Sequence, residues 1–155
     1  MELNYVLIPL IAVATAYAGS GFTRRGVNTW YRDIRKPTWT PPGSVIGAVW
    51  TVLYALGAIA ALVIWNATPH DTFFNVIIAV FVVNIFLNIL WSYLFFGRRK
   101  MYAAIWDCLA LDLTIVILID VIAPRSPVAS LLLFPYAAWV TFASYLNYRI
   151  WVMNK

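Results

Sequence analysis

Residues 30–54 concentrate the side chains that are best suited to bind a small molecule. Three tryptophans and three prolines occur there, and Pro41, Pro42 and Gly43 form a turn just ahead of a long apolar segment. Trp50 and Tyr54 lie four residues apart, so a helix would stack them on one face as a flat aromatic wall. The alternative is an interfacial belt, in which Trp and Tyr gather at headgroup depth in any membrane protein. The pattern alone favours the belt.

The third apolar segment carries two polar residues at helical spacing with two aromatic ones. Asn84, Asn88, Trp91 and Phe95 follow one another at intervals of four, three and four residues, which places them on one helical stripe. Because an amide facing lipid is costly, this stripe should point into a bundle. The two asparagines then either bond neighbouring helices or line a pocket, and the pattern leaves both open.

In the second and the last apolar segments, small residues share a helical face with aromatic residues. Gly47 shares the helical face of Trp50 and Tyr54 in the second apolar segment, and Trp139, Ala143 and Asn147 follow one another at intervals of four residues in the last one. A small residue below an indole leaves space beside its face.

The acidic residues of the fourth apolar segment do not form a catalytic pair. Asp107 and Asp112 point about 140° apart on a helix. Asp112 falls near the middle of the segment, where an aspartate in a bilayer costs roughly 2.5–3.5 kcal/mol. We expect it to be neutral, or bonded to an amide or hydroxyl on another helix.

Several chemistries have no candidate residues. The chain has one cysteine, Cys108, and one histidine, His70, which predicts no disulfide, no metal site and no Ser/His/Asp or Cys/His catalysis. The glycines form no phosphate loop, and the basic residues flank apolar segments, which does not suggest a nucleic-acid groove. No metal or cofactor is predicted to be required.

The composition indicates an integral membrane protein. Of 155 residues, 63% are hydrophobic and 11% charged, and the mean hydropathy is +0.81. A spanning helix needs roughly 20 residues, and five segments are long enough. They are residues 3–21, 43–65, 73–96, 101–122 and 128–151. We predict an all-α membrane protein, a five-transmembrane-helix bundle forming a single domain over 1–155, with residues 22–42 as its longest loop.

The first segment and the charges complete the topology. Ala16–Ala18 resembles a signal-peptide cleavage site, but Glu2 makes the start acidic, so we expect a retained helix. Counted by alternate loops, every basic residue except Arg125 falls on one side. The positive-inside rule then predicts an N-terminus outside and a cytoplasmic C-terminus, with membrane lipid as a partner.

The chain resembles the translocator protein or tryptophan-rich sensory protein family (TspO/MBR, the peripheral benzodiazepine receptor). The matching residues run from about Trp30 to Trp151 across the apolar segments in order. They are Trp30-Tyr31, Lys36-Pro37-x-Trp39-x-Pro41-Pro42, Val45-x-Gly47-x-x-Trp50-x-x-Leu53-Tyr54, Asn84, Asn88-x-x-Trp91, Phe95-Phe96-Gly97, Asp107, Pro135-Tyr136-x-x-Trp139 and Phe142-Ala143-x-x-Leu146-Asn147-Tyr148.

The resemblance implies a cytoplasm-facing pocket closed by the first loop as a lid. It implies ligands such as porphyrin or haem-like tetrapyrroles, sterols or benzodiazepine-type compounds, a sensor, regulator or transporter role, and a homodimer in a prokaryotic cell membrane. Trp50 and Trp139 match a pair associated with light-dependent oxidation of protoporphyrin, so such an enzyme is the alternative; a structural membrane partner is a third. The predicted ligand-binding residues are Tyr31, Trp39, Pro41, Gly47, Trp50, Tyr54, Asn84, Asn88, Trp91, Phe95, Trp139 and Ala143. Arg32, Arg35 and Lys36 could meet ligand carboxylates at the wet end.

The sterol-recognition pattern departs from the family. Tyr148 is followed four residues later by Val152, where the family pattern has arginine. A shifted set, Val140, Tyr145 and Arg149, fits the loose pattern, which is weak by itself.

Overall fold

The computed structural model describes residues 2–155 as a helical bundle. Its elements are α1 (Asn4–Val27), α2 (Trp30–Asp33), α3 (Gly43–Ala67), α4 (Thr72–Ser92) continued by a π-helical turn (Tyr93–Gly97), α5 (Met101–Ile122), α6 (Pro127–Leu131) and α7 (Phe134–Asn154). In these residues no strand occurs. The all-α prediction is therefore confirmed.

Four helical stretches in the described chain are long and apolar enough to cross a membrane. They are Asn4–Val27, Gly43–Ala67, Thr72–Gly97 and Pro127–Asn154. The remaining long helix, α5, has the boundaries predicted for a span and packs against α4 and α7. The architecture is thus that of a multi-pass membrane protein.

The first helix is longer than predicted. Its expected end at residue 21 is wrong, because α1 continues to Val27 and the predicted loop 22–42 begins as helix. Tertiary packing holds the extra turns: Phe22 meets Tyr93 edge-on with ring centroids 5.4 Å apart. Gly26 lies so close to Phe96 that an added Cβ would be 2.7 Å from Phe96 Cδ1. The connection that remains, residues 28–42 with α2 inside it, is called the lid segment below.

The last predicted helix, residues 128–151, is wrong as a continuous element. It divides into α6 and α7. Ser126 caps α6 by accepting from the backbone N–H of Ala129 at 3.2 Å. Pro135 lies in the first turn of α7, where its missing N–H costs nothing. Pro135 would disrupt an α6 that continued through it, because a proline in a helix interior removes a backbone hydrogen bond.

The helices form a ring whose two ends differ. α1 packs against α3 and α4, α4 against α5, and α5 against α7, whereas α7 touches α3 only slightly. The end opposite the lid segment, called the capped end below, holds a dense apolar core. Ile64, Ile77, Leu118 and Ile122 are almost completely buried there. The end beside the lid segment, called the lid end, contains a cavity instead.

Candidate ligand cavity

A cavity of about 1430 Å³ occupies the lid end and extends along α1. Residues of α1, α3, α4 and α7 and of the lid segment form its walls, and Cys108 and Leu111 of α5 close one side. All the predicted ligand-binding residues line this cavity except Trp39 and Asn84. The cavity is large enough for a drug-sized or macrocyclic ligand, since typical small-molecule sites measure about 300–1,000 Å³.

Aromatic rings form two walls of the cavity. On α3, the Trp50 ring lies 5.7 Å from Tyr54 and 6.0 Å from Tyr136. On α7, the Trp139 ring lies 5.4 Å from Phe142. Such rings offer broad apolar faces for dispersion and stacking. The arrangement can therefore hold a flat apolar molecule.

A hydrogen-bonded network crosses the bundle beside these walls. The Tyr54 hydroxyl donates to Asn88 Oδ1 at 2.6 Å, and Asn88 Nδ2 donates to the Tyr136 hydroxyl at 3.1 Å. Tyr136 in turn donates to Asn84 Oδ1 at 3.1 Å, and Asn84 Nδ2 donates to Thr114 Oγ1 at 2.8 Å. Both roles left open for the asparagines occur: both bond neighbouring helices, and only Asn88 also lines the cavity.

Trp39 lies outside the cavity lining. The residue is 43% exposed, and its ring stacks on Tyr145, with centroids 5.7 Å apart and the planes inclined by 4°. Arg149 donates to the Tyr145 hydroxyl at 3.1 Å. Val140, by contrast, is buried and lines the cavity. The three residues of the weak sterol pattern therefore do not share one surface, and Tyr145 instead contacts the lid segment through Trp39.

The lid segment is held by its own cation and by the end of α7. Lys36 Nζ donates to the carbonyls of Tyr31 at 2.6 Å, Ile34 at 3.0 Å and Arg32 at 3.2 Å. The backbone of Arg35 exchanges two hydrogen bonds with the Asn154 side chain, at 3.0 and 2.8 Å. Burial raises the pKa of the Tyr31 hydroxyl, which keeps this lining group neutral.

This anchoring changes the expected role of the lid cations. The three N–H groups of the Lys36 ammonium are all engaged with carbonyls. Arg32 pairs with Asp33 at 3.2 Å on the surface, and neither Arg32 nor Arg35 lines the cavity. Arg24, near the end of α1, is a lining residue that the sequence interpretation did not assign.

Sequence reasoning also missed one wall and one polar group. α1 lines the cavity with mostly small residues at helical spacing, which are Pro9, Ala12, Val13, Ala16, Gly19, Ser20 and Thr23. This spacing was visible in the sequence and could have indicated a face that leaves room. Asn147 lies on the stripe of Trp139 and Ala143 and also lines the cavity, although it was not assigned to the site.

The aspartates of α5 lie outside the cavity lining. Asp112 Oδ2 accepts from the Thr141 hydroxyl of α7 at 2.8 Å, which confirms the expected bond to a hydroxyl on another helix. Asp107 is buried, and neither of its carboxyl oxygens has a hydrogen-bond partner. Among the described residues no group of His, Cys, Asp and Glu side chains could hold a metal ion.

Helices of membrane-spanning length around an aromatic-walled cavity define a multi-pass helical membrane protein with an internal cavity. The chain belongs to the TspO/MBR family, whose family model matches residues 5–152. It is 40% identical to Tryptophan-rich protein TspO of Archaeoglobus fulgidus over 153 residues, which cover 98% of this chain and 97% of that protein. It is 31% identical to the Translocator protein of Homo sapiens over 153 residues, 98% of this chain and 89% of that protein. These comparisons confirm the family resemblance.

Proposed function

We propose that the protein binds a porphyrin or similar tetrapyrrole in the lid-end cavity and acts as a sensor, regulator or transporter in the membrane. One observation carries this proposal: Trp50 and Trp139, on different helices, both line a cavity of about 1430 Å³. A tetrapyrrole is flat, with two apolar faces, which suits indole rings. The name of one relative, Translocator protein, agrees with a transporter role. Sterols or benzodiazepine-type compounds are the other candidate ligands.

The proposal includes α5 as a fifth transmembrane helix. Its 22 residues would extend about 33 Å at 1.5 Å per residue, enough to cross a hydrocarbon core of about 30 Å. One face of α5 is apolar and exposed, with Leu109, Leu113, Val116 and Ile117 available to lipid. Its Asp112 carboxylate is bonded to Thr141. The distribution of basic residues supports a cytoplasmic lid end and an outside N-terminus. A homodimer in a prokaryotic cell membrane is a further part of the proposal, and it rests on the family resemblance alone.

A titration of protoporphyrin in the dark tests the binding proposal. Ala143→Leu adds volume beside Trp139 and should weaken binding about tenfold or more without unfolding the bundle. Binding would be followed by tryptophan quenching and porphyrin absorbance. Trp106→Phe is the matched control, because Trp106 is 60% exposed on α5 and does not line the cavity. If Ala143→Leu binds like the parent, the pocket lies elsewhere.

The same samples under illumination test the enzyme alternative. A binding protein leaves the porphyrin spectrum intact, whereas an enzyme converts it into a discrete product. Trp50→Phe and Trp139→Phe keep an apolar ring but remove the indole. Binding should survive these changes better than any light-driven degradation. A product that forms equally well with both variants would exclude an indole-dependent reaction.

A further inference from the structure

Asp107 carries a buried carboxyl group without a hydrogen-bond partner. The residue is 7% exposed, and both Oδ1 and Oδ2 are covered by protein. The ion pairs among residues 2–155 are Arg32–Asp33 and Arg125–Asp71, so no cation pairs with Asp107. Burying a charge that has neither a cation nor a donor costs much more free energy than burying a neutral group. Asp107 therefore keeps its proton in this structure.

The elements around α5 bring no cation to Asp107. α5 packs mainly against α4, α6, α7 and the π-helical turn, and α4 and α6 contain no titratable residue. The titratable residues of the other two elements are Tyr93, Tyr136, Tyr145, Tyr148 and Arg149. Arg149 donates to the Tyr145 hydroxyl instead. The other titratable residues of α5, which include Cys108 and Asp112, are acids. A negative charge on Asp107 would thus depend on hydrogen-bond donors.

The register between α5 and α7 shows which part of α7 lies opposite Asp107. The rings of Tyr102 and Trp151 lie 5.3 Å apart, and Asp112 accepts from the Thr141 hydroxyl at 2.8 Å. The two helices are therefore antiparallel. Because Asp107 is midway between Tyr102 and Asp112, its level on α7 falls midway between Thr141 and Trp151.

Two unpartnered donors flank that level on α7. Ser144 and Asn147 each lie within one helical turn of it, and they are 7% and 2% exposed. Ser144 Oγ and Asn147 Nδ2 are covered by protein and have no hydrogen-bond partner. Both belong to the buried stripe of Val140, whose carbonyl oxygen lies 4.0 Å from Cys108 Sγ. The donors therefore share the α5–α7 interface with the unpaired carboxyl group.

We infer that Asp107 is a proton-binding site, and that Ser144 and Asn147 stabilise its carboxylate when the proton leaves. On ionisation the O–H bond breaks, the electron pair stays on the carboxylate oxygen, and the proton passes to solvent water that enters the cavity. The hydroxyl of Ser144 and the amide of Asn147 then donate to the carboxylate, in hydrogen bonds stronger than those between neutral groups. Asn147 also lines the cavity, so the site links a proton to the cavity wall.

Infrared spectroscopy in lipid nanodiscs tests the inference at about pH 7, where an exposed aspartate is ionised. A neutral carboxyl group has a carbonyl stretch that is separate from the carboxylate bands and shifts in heavy water. We expect this band in the parent and its loss in Asp107→Asn. Asp71→Asn is the matched control, because Asp71 is paired with Arg125 and its replacement removes an ionised group. An Asp107→Asn spectrum that keeps the whole band would overturn the inference.

A second variant keeps this test decisive if Asp107→Asn folds poorly. Asp107→Glu retains a carboxyl group but moves it by one methylene, so the band should shift rather than disappear. A band with the same position in the parent and in Asp107→Glu would also overturn the inference.

The two donors are tested by the pH titration of the same band. Ser144→Ala and Asn147→Leu each remove a group that stabilises the carboxylate but leave the neutral form as it is. The neutral band should therefore persist to higher pH than in the parent. Ser130→Ala is the control, because it removes a buried hydroxyl that donates to the Ile119 carbonyl at the capped end. Titrations that match the parent in both donor variants would overturn the role of the donors.

Mesoporphyrin dimethyl ester, a porphyrin without free carboxyl groups, tests the link to the cavity. This part rests on the proposed function. A ligand seated beside Asn147 should shift the Asp107 band in the parent and shift it less in Asn147→Leu. Binding that leaves the band unmoved would overturn the link. No binding would count against the proposed function instead, and the band of the unliganded protein would still establish the proton site.

Discussion

The capped end and the lid end of the bundle treat their polar groups in opposite ways. At the capped end, Asn4 Nδ2 donates to Asn66 Oδ1 at 2.7 Å, and Ser130 Oγ donates to the Ile119 carbonyl at 2.8 Å. Arg125 pairs with Asp71 at 2.7 Å. At the lid end, Trp91, Trp139 and Asn147 keep buried donors without partners.

This contrast separates a densely packed part of the bundle from a part that encloses a cavity. The capped end fills its interior with apolar side chains and pairs its polar groups, which is the arrangement expected where nothing has to enter. The lid end encloses a cavity and keeps buried donors without partners, and both features cost free energy of folding. Substitutions in these two parts should therefore change the free energy of unfolding and the affinity for porphyrin to different extents.

The largest effect is expected from the two network asparagines. Asn84→Leu and Asn88→Leu each remove two hydrogen bonds of the buried network, so each should lower the free energy of unfolding by roughly 1–3 kcal/mol. Only Asn88 lines the cavity. Thermal unfolding should thus report similar losses, while a protoporphyrin titration should detect weaker binding for Asn88→Leu alone. Equal affinity losses would show that the network acts on the cavity as a whole.

The next effect tests the close contact at the lid end. Gly26→Ala places a Cβ 2.7 Å from Phe96 Cδ1 and 2.8 Å from Phe96 Cβ, and overpacking of this kind costs about 1–3 kcal/mol. Gly21→Ala is the control on the same helix, because its Cβ would meet nothing within 4 Å. It should be neutral or stabilising, since alanine favours helix over glycine. Equal melting temperatures for the two variants would contradict the contact.

The helices could be predicted well where local signals mark them. Lys100 precedes α5 and Ala123 follows it, and both predicted ends agree with the structure. The end of α1 could not be predicted, because Phe22 and Gly26 are held by residues about seventy positions away. The stripe of Trp139, Ala143 and Asn147 indicated a shared face. Whether Asn147 Nδ2 has a hydrogen-bond partner depends on the groups around it in three dimensions, and the spacing of residues in the sequence does not reveal these groups.

A smaller effect is expected at Asp112, between the two ends. Asp112→Asn keeps an oxygen that can accept from Thr141 and removes an acidic group from the middle of a long apolar helix, where an aspartate is costly in a bilayer. The variant should fold as well as the parent or better, with unchanged porphyrin affinity. Thermal unfolding in lipid nanodiscs and a titration measure both quantities. Lost activity in a normally folded variant would make Asp112 a functional group.

The smallest effect belongs to the exposed ion pair of the capped end. The hydrogen bond from the Arg125 guanidinium, followed by that from the Phe74 N–H, lowers the pKa of Asp71 from 3.8 to about 2. A depressed pKa in the folded state means that the pair stabilises the protein above about pH 4. That contribution is then lost as the pH falls towards 2.

Asp71→Asn isolates this ion pair, because asparagine caps a helix about as well as aspartate. The variant should melt slightly below the parent at pH 6, and the difference should shrink between pH 4 and pH 2. Asp120→Asn is the control, since the described residues give Asp120 no ion pair. Porphyrin affinity should not change in either variant, because both residues lie outside the cavity lining. A melting difference that is constant from pH 6 to pH 2 would mean that Arg125 does not stabilise the carboxylate.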